Sequence, residues 1–561
     1  MNRSEIIASI KSNPSVSVLI VGAGINGIGA FRDLALNGVD VLIVDRGDFC
    51  SGASAASSHM AHGGIRYLEN GEFRLVREAV GERNRMIQNA PHLVKPLPTA
   101  IPIFKHFSGM LNAPLKFMGW LDKPSERGSV IIKLGLMMYD AYTGAQRTVP
   151  RHAFRGRADS LARWPRLNPQ IVSTAEYFDG LIQNPERLAL EVLLDGEADG
   201  GRALNYVSLV EGKGNTVTLR DELTGSTFDL RPKLVINAAG PWIDIANKTL
   251  GISTHFIGGT KGSHLVVHNP ELRAAIGENE FFFENKDGRI VLIFPLFDKT
   301  LIGTSDIPIE NPDNMVCTGD EVEYFIGLVD RVFPDIKVKR EQIVFTFSGV
   351  RPLAHTSAKN AGQITRDHHI QVVEGEWTGL GYPVYSLVGG KWTSFRAFAE
   401  QTANKALEFL GQTRKNNTAY LAVGGGKNYP RTAEEQKKLF DRIKAWAGLP
   451  TERVQTLFHR YGARAEAVAE FISHQPDAAL QSLPEYSRRE IAFLASAEKV
   501  IHLDDLVLRR TMLAMLGQLT RTALDELAAA LGASLGWSEP QKQAEVARAL
   551  EILATRHGVR L

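Results

Sequence analysis

The chain of 561 residues, 44% apolar and 22% charged with a formal charge of +2, has the make-up of a soluble globular protein of two or three domains. That balance gives no global pull toward nucleic acid, and no uncharged apolar run approaches the ~20 residues that span a bilayer. Two cysteines, Cys50 and Cys317, exclude a disulfide framework and any C-x-x-C metal or redox pair; both read as buried free thiols, and no metal site is expected.

Residues 1–14 carry one apolar cluster (Ile6, Ile7, Ala8, Ile10) without a signal-peptide core, which predicts a cytoplasmic protein. An apolar run, Val16 to Val21, enters the turn Gly22-Ala23-Gly24-Ile25-Asn26-Gly27. A helix-period segment (Ile28, Phe31, Leu34, Ala35) follows, and a second apolar run, Val39 to Val44, ends in Asp45. Strand, glycine turn, helix, strand and acid form the unit that holds the ADP half of FAD or NAD. Gly22 permits the tight turn, Gly24 admits the pyrophosphate, and Gly27 lets the helix pack on the strand. The phosphates are expected on the helix N-terminus at Ile25 and Asn26, where free N–H groups and the macrodipole favour anions. Asp45, 18 residues beyond Gly27, is placed to accept from ribose hydroxyls, which argues against NADP.

Residues 51–68 are too small and polar for a core and too structured for a linker. Further on, Leu234 to Trp242 and Val388 to Thr393 are two more strand-like runs that end in small-residue turns. Such turns either let backbone approach a ligand or merely pack. Three of them, some 150 to 200 residues apart, predict one nucleotide fold built from discontinuous segments. FAD enzymes with an inserted cap are built this way, whereas NAD dehydrogenases keep the unit contiguous. The expected fold class is therefore α/β: a discontinuous Rossmann-like FAD-binding fold over about 15–75, 165–250 and 345–410, with a cap over about 76–164 and 251–344. Strand-like runs at 263–267, 289–294, 300–304 and 343–348 predict that the cap is an antiparallel sheet over the flavin. Residues 411–430, including Gly424-Gly425-Gly426, read as a linker to a helical C-terminal domain, 431–561. Helices are predicted there at 434–447, 452–461, 488–497, 503–516, 523–535 and 541–556, as a packing or partner-docking module.

The string SAASSHMAHGGIRYLENGEFRLVREA (54–79) closely resembles the FAD-dependent glycerol-3-phosphate dehydrogenase family. The resemblance continues through AAGPW (238–242), KGSH (261–264), IGTSD (302–306), SGVRPL (348–353), ITRD (364–367) and GGKWTSFR (389–396), in the family's order. It implies FAD as cofactor and oxidation of sn-glycerol 3-phosphate to dihydroxyacetone phosphate, with electrons passed to quinone or another acceptor. Ser57, Ser58, His59, His62, Gly63, Gly64, Gly240 and Gly390 then join Gly22, Gly24 and Asp45 around the cofactor. A phosphate monoester calls for guanidinium forks and ammonium groups. The resemblance assigns Arg66, Arg351 and Lys391 to the phosphate and the developing alkoxide, and Tyr67 to hydrogen bonding with substrate. Arg366 either joins the phosphate site or pairs with Asp367. His264, and less so His62, is the candidate base, since a neutral imidazole suits proton abstraction near pH 7.

The chain departs from the family at three places. Ser58-His59 stands where the family has Ser-Lys, which replaces a fixed cation near the flavin by a titratable one. Leu181 to Arg187 alters an acidic segment, and Pro102 to Arg127 is longer than usual. These changes suit a relative acting on another polyol phosphate, such as a tetritol phosphate. Phe104, Phe107, Met110, Leu111, Leu115, Phe117, Met118 and Trp120, interleaved with Lys105, Lys116 and Lys123, fit either an interfacial anchor on the inner membrane or an amphipathic cap helix. A non-catalytic flavin-binding protein is the alternative of another class, disfavoured by Arg66, Arg351 and Lys391; homodimerisation stays open.

Overall fold

The structure is a computed structural model describing residues 2–65, 72–105, 129–143, 148–285, 290–313, 315–355 and 367–561, with backbone alone at 129–131 and 143. Two sheets organise it. In the first, Ser15–Val21 lies parallel between Val41–Val44 and Thr227–Asn237, with Arg202–Leu204 beyond one and Val384–Val388 beyond the other. His369–Val373 adds an antiparallel edge, and Val207–Lys213 with Thr216–Asp221 extends the long strand as a ribbon. Both faces of the parallel core are covered, as its continuous apolar runs require. Val18 and Ile20 pack on the helices Ile25–Leu36, Pro185–Ala198 and Phe395–Phe409, while Leu19 faces Leu42, Leu204 and Leu230 on the other side.

The second sheet runs, in spatial order, Ile307–Pro308, Thr260–Val267, Lys299–Gly303, Ile290–Leu296, Glu280–Glu284, Val94–Ile103, Ser173–Ile182 and Met60–Ala61. Ile343–Arg351 pairs antiparallel with Thr260–Val267, and Ala153–Gly156 with Ser173–Ile182. The strand at 173–182, within a sequence range assigned above to the flavin fold, thus hydrogen-bonds in the cap sheet, as does the one at 343–351, where the cap strand predicted at 343–348 lies. Period-two alternation splits the residues between its faces. Leu265 and Val267 pack on the helices Pro270–Ile276 and Gly319–Val332, whereas Val266, Leu301, Phe345 and Phe347 pack on the C-terminal helices.

The C-terminal domain is helical. Ala433–Ala447, Thr451–Tyr461, Arg488–Ala497, Arg521–Leu535 and Glu539–His557 follow the apolar periodicity closely. An additional helix, Ala465–Ser473, buries Ala465, Val468, Ala469 and Ile472, an i, i+3, i+4, i+7 stripe lying just after the Gly462 turn. The run from Leu503 helps form only a short helix and one wide π turn, Leu506–Arg510, before the chain leaves helical geometry at Thr511. Residues 424–426 are buried rather than free: Gly424 and Gly425 donate their N–H groups to Asp195 and Glu191 at 3.0 and 2.9 Å.

Segment 181–187 is structural. Asn184 caps the helix Pro185–Ala198 by accepting from the Arg187 N–H at 2.9 Å, and the buried Arg187 side chain donates to the Arg510 carbonyl at 2.8 Å and pairs with Glu498. Beside it, Arg510 grips both oxygens of the buried Asp48 at 2.6 and 2.8 Å, and Arg509 donates to the same carboxylate at 2.5 Å. Burial alone would raise the Asp48 carboxyl; the charges of Arg510 and Arg509 overcome it and hold the group well below the usual carboxylate range. Its contribution is therefore fully present at neutral pH and is lost progressively as the pH falls from the ordinary carboxylate value toward the depressed native one. Asp48→Asn leaves the buried Arg510 guanidinium without its carboxylate partner, while Arg509 keeps Asp504 and Asp505, and should cost about 3–5 kcal/mol, read as a lower urea midpoint at pH 7.

Candidate active site

One cavity of about 1670 Å³ runs from the first glycine turn, across the cap sheet, to the C-terminal helices. It exceeds the volume of an ordinary small-ligand pocket, as a dinucleotide plus substrate demands. At one end Gly22 has φ 103°, and a Cβ there would stand 2.6 Å from the Ala238 carbonyl of the second turn. A Cβ on Gly27 would overlap the Gly22 carbonyl, so the helix Ile25–Leu36 can sit this close to its strand only with glycine at that position. Gly24 is its N-cap with no side-chain cap, and the Ile25 N–H is met by Ser54 Oγ at 2.9 Å. Asn26 Nδ2 donates to the Gly389 carbonyl at 3.3 Å, joining the first turn to the third. Asp45 accepts from the N–H groups of Ala23 and Gly47 at 2.7 and 3.0 Å while lining the cavity; burial lifts its carboxyl to about 6.

Towards the cap, Arg351 ends its strand with the guanidinium donating to Asp306 (3.1 Å), Thr304 Oγ1 (2.8 Å) and the Ser305 carbonyl (3.0 Å). That loop is itself anchored by Glu321, which accepts from Ser305 Oγ (2.6 Å), Ser263 Oγ (2.8 Å) and Lys261 Nζ (2.8 Å). His264 stacks on Phe347, ring centres 4.7 Å apart, with Nε2 2.8 Å from Ser58 Oγ. Burial, then the charges of Arg351 and His59, push its imidazole well below the ordinary value, so it is neutral. The HGG turn is held from behind: the Gly63 N–H donates to Tyr139 Oη at 2.9 Å and to Asp179 at 3.0 Å, and Arg83 donates to Tyr139 Oη at 3.0 Å. The His62 N–H donates to Thr393 Oγ1 at 3.0 Å, tying this turn to the third one.

The predicted residues Gly22, Gly24, Ile25, Asn26, Asp45, Ser57, Ser58, His62, Gly64, Gly240 and Gly390 line the one cavity together with His264, Arg351 and Lys391. Gly27 and Gly63 support its wall without lining it. Arg66, Tyr67 and Arg366 lie outside the described residues, as does the interfacial stretch from 106 to 128. His59 requires a correction. Its ring is buried outside the lining, 6.3 Å from Phe347, its backbone takes φ 54°, and burial lowers its imidazole to about 4. It therefore offers no titratable cation to the flavin near neutral pH. The supporting residues Arg83, Tyr139 and Asp179 are absent from the sequence reading. Their signal is a charge on an otherwise apolar stripe: Arg83 beside Val76, Val80 and Met86, and Asp179 in a nearly wholly buried strand.

A parallel nucleotide sheet in three segments, an antiparallel cap and a shared cavity with a cationic end define a flavin-dependent oxidoreductase. The chain belongs to the FAD dependent oxidoreductase family, which it matches over residues 17–404. Residues 416–542 match the C-terminal domain of alpha-glycerophosphate oxidase. It is similar to the glycerol-3-phosphate dehydrogenase of Synechocystis sp., 32% identical over 96% of this chain and 97% of that one. It also resembles the D-erythritol 1-phosphate dehydrogenase of Brucella abortus, 30% identical over 88% of this chain and 93% of that one. Among solved structures, the glycerol-3-phosphate dehydrogenase of Bacillus halodurans, complexed with FAD, shares the fold at TM-score 0.75 and 22% identity, over 98% of this chain and 97% of that one. The residues present fit FAD: a turn that only glycine can make, a helix start whose N-cap glycine carries no side chain, and a carboxylate held by backbone at the end of the second strand. With His59 buried and neutral, the flavin potential should follow one and the same pH curve in wild type and His59→Gln between about pH 5.5 and 7.5. Spectroelectrochemical titration checks this; curves that diverge would put the imidazole against the flavin.

Proposed function

We propose that the chain oxidises sn-glycerol 3-phosphate to dihydroxyacetone phosphate and hands the electrons to quinone or another acceptor. The observation that carries this reading is the convergence of Arg351, Lys391 and His264 on the cavity that also holds the glycine turns. The similarity to the Synechocystis glycerol-3-phosphate dehydrogenase supports it. FAD, when bound, supplies the acceptor for the carbinol hydride. Arg351, oriented by Asp306 and Thr304, presents a guanidinium fork to the phosphate, and Lys391 adds a point charge. Arg66, Tyr67 and Arg366 are assigned to the same clamp on their motifs alone. The neutral His264 accepts the hydroxyl proton at Nε2 through Ser58 Oγ, which lines the cavity. His62, lining the same cavity, is the other imidazole able to serve.

A longer polyol phosphate is the second reading, favoured by the similarity to the Brucella D-erythritol 1-phosphate dehydrogenase. The enzyme is proposed to work in the cytoplasm, with peripheral contact to the inner membrane where quinone is the acceptor. No helix among the described residues is long and apolar enough to cross a membrane.

Anaerobic dye reduction with sn-glycerol 3-phosphate, a tetritol phosphate and unphosphorylated glycerol tests both readings. The highest kcat/KM is expected for sn-glycerol 3-phosphate; a preference for the tetritol ester would select the second reading, and equal rates with glycerol would remove the phosphate clamp. In the same assay Arg351→Ala should lose about 2–4 kcal/mol of transition-state binding with flavin content intact. Unchanged kcat/KM would take Arg351 out of the site.

A further inference from the structure

The C-terminal helix Glu539–His557 has two apolar or polar stripes with different destinations. Val546, Ala549 and Leu553 are buried in the helical core. Arg548, Glu551, Ile552, Thr555 and Arg556, spaced i, i+3, i+4, i+7, i+8, line the cofactor cavity instead. We infer that this helix is a wall of the FAD site, with Arg548 and Arg556 facing the ADP half of the dinucleotide. The C-terminal domain is then part of the cofactor site and more than a packing module.

Both ends of the helix are anchored to elements that shape the cavity. At its C-terminal end His557 stacks on Phe345, ring centres 4.3 Å apart, and donates from Nδ1 to the Thr346 carbonyl at 2.9 Å, on the strand that ends in Arg351. Burial lowers that imidazole to about 4, so it stays neutral and can keep Nδ1 as donor. Toward the other end Arg548 donates to Asp504 at 2.8 Å; Asp504 accepts from Arg509 at 3.2 Å, and Arg509 reaches Asp48 at 2.5 Å. Asp48 lies three residues past Asp45, the carboxylate at the ribose end of the nucleotide unit. Arg548 also borders a side chamber of the cavity with Arg46, Tyr206 and Ser208, and the charge of Arg556 is among those that hold the Asp313 carboxyl low. Asp313 in turn accepts from Arg46 and from Trp242 Nε1, both at 2.8 Å, at the rim of the same end.

The chemistry asks for such a wall. A diphosphate carries two negative charges, and the glycine turn at residues 22–27 has no charged side chain to offer it. Among the described lining residues at this end, Arg509 is committed to Asp48 and Asp505 and Arg46 to Asp313. Arg548, which spends its Nε on Asp504, and Arg556 remain exposed on the helix face turned to the cavity, where the terminal guanidinium N–H groups can make a charge-assisted bond to phosphate. This holds whichever polyol phosphate is oxidised.

The test is reconstitution of the full-length apoprotein with FAD, followed by quenching of flavin fluorescence. Arg548→Glu/Arg556→Glu should raise the Kd for FAD by about ten-fold or more and flatten its dependence on salt. Riboflavin, which lacks the ADP half, is titrated in parallel, and its Kd should stay within about two-fold of the parent's. An unchanged Kd for FAD, or equal weakening of FAD and riboflavin, would overturn the proposal, since the first denies the contact and the second reports general damage to the fold.

Discussion

A carboxylate sealed from water persists in ionised form only when opposite charges are brought to it, and Asp48 is the group on which this molecule turns. Its partners Arg509 and Arg510 come from 461 and 462 residues further along the chain. The loop that follows the cavity-lining Asp45 is thereby clamped to the C-terminal helices. Tyr206 Oη donates to Asp505 at 2.6 Å and Asn205 Nδ2 to Asp48 at 3.0 Å, which ties the start of the Val207–Lys213 strand to the same point. One desolvated charge cluster thus sets the mutual placement of nucleotide sheet and helical domain.

The catalytic end is built on the same rule. Among the described residues, Arg351, the HGG turn and His264 are each held in place by their neighbours. Arg351 is aimed by Asp306 and Thr304, whose loop is held by Glu321; the HGG turn is fixed by Tyr139, Asp179 and Arg83; His264 is trapped between Phe347 and the Gly303 backbone. Desolvation keeps the imidazoles of His59 and His264 neutral, which leaves the positive charge at this end to guanidinium and ammonium groups.

Local chemistry was legible from the residues; partnership was not. The first glycine turn, the three-part nucleotide fold and the cap strands near 263–267, 290–296 and 299–303 follow from strict local rules, namely close backbone approach and period-two alternation. His59 was misjudged because a position beside a ligand loop says nothing of which way the ring points, and a left-handed backbone turned it inward. The segment 411–430 reads as a linker by its glycines, yet those at 424–426 are there so that backbone can press against Tyr461, His92 and Glu191. The π turn at Leu506–Arg510 replaces the expected long helix because two adjacent arginines must both reach one carboxylate.

The order of synthesis is constrained by the central strand. The neighbour Thr227–Asn237 is made some two hundred residues after Ser15–Val21, and Val384–Val388 later still. At roughly 5–20 residues per second, that apolar strand waits for tens of seconds with one edge unpaired. Asp48 meets its counter-charges only after residue 510 has been made. A ribosome-bound intermediate of this protein is therefore a long-lived client for chaperones, and a product truncated before that point is an aggregation hazard instead of a smaller flavoprotein.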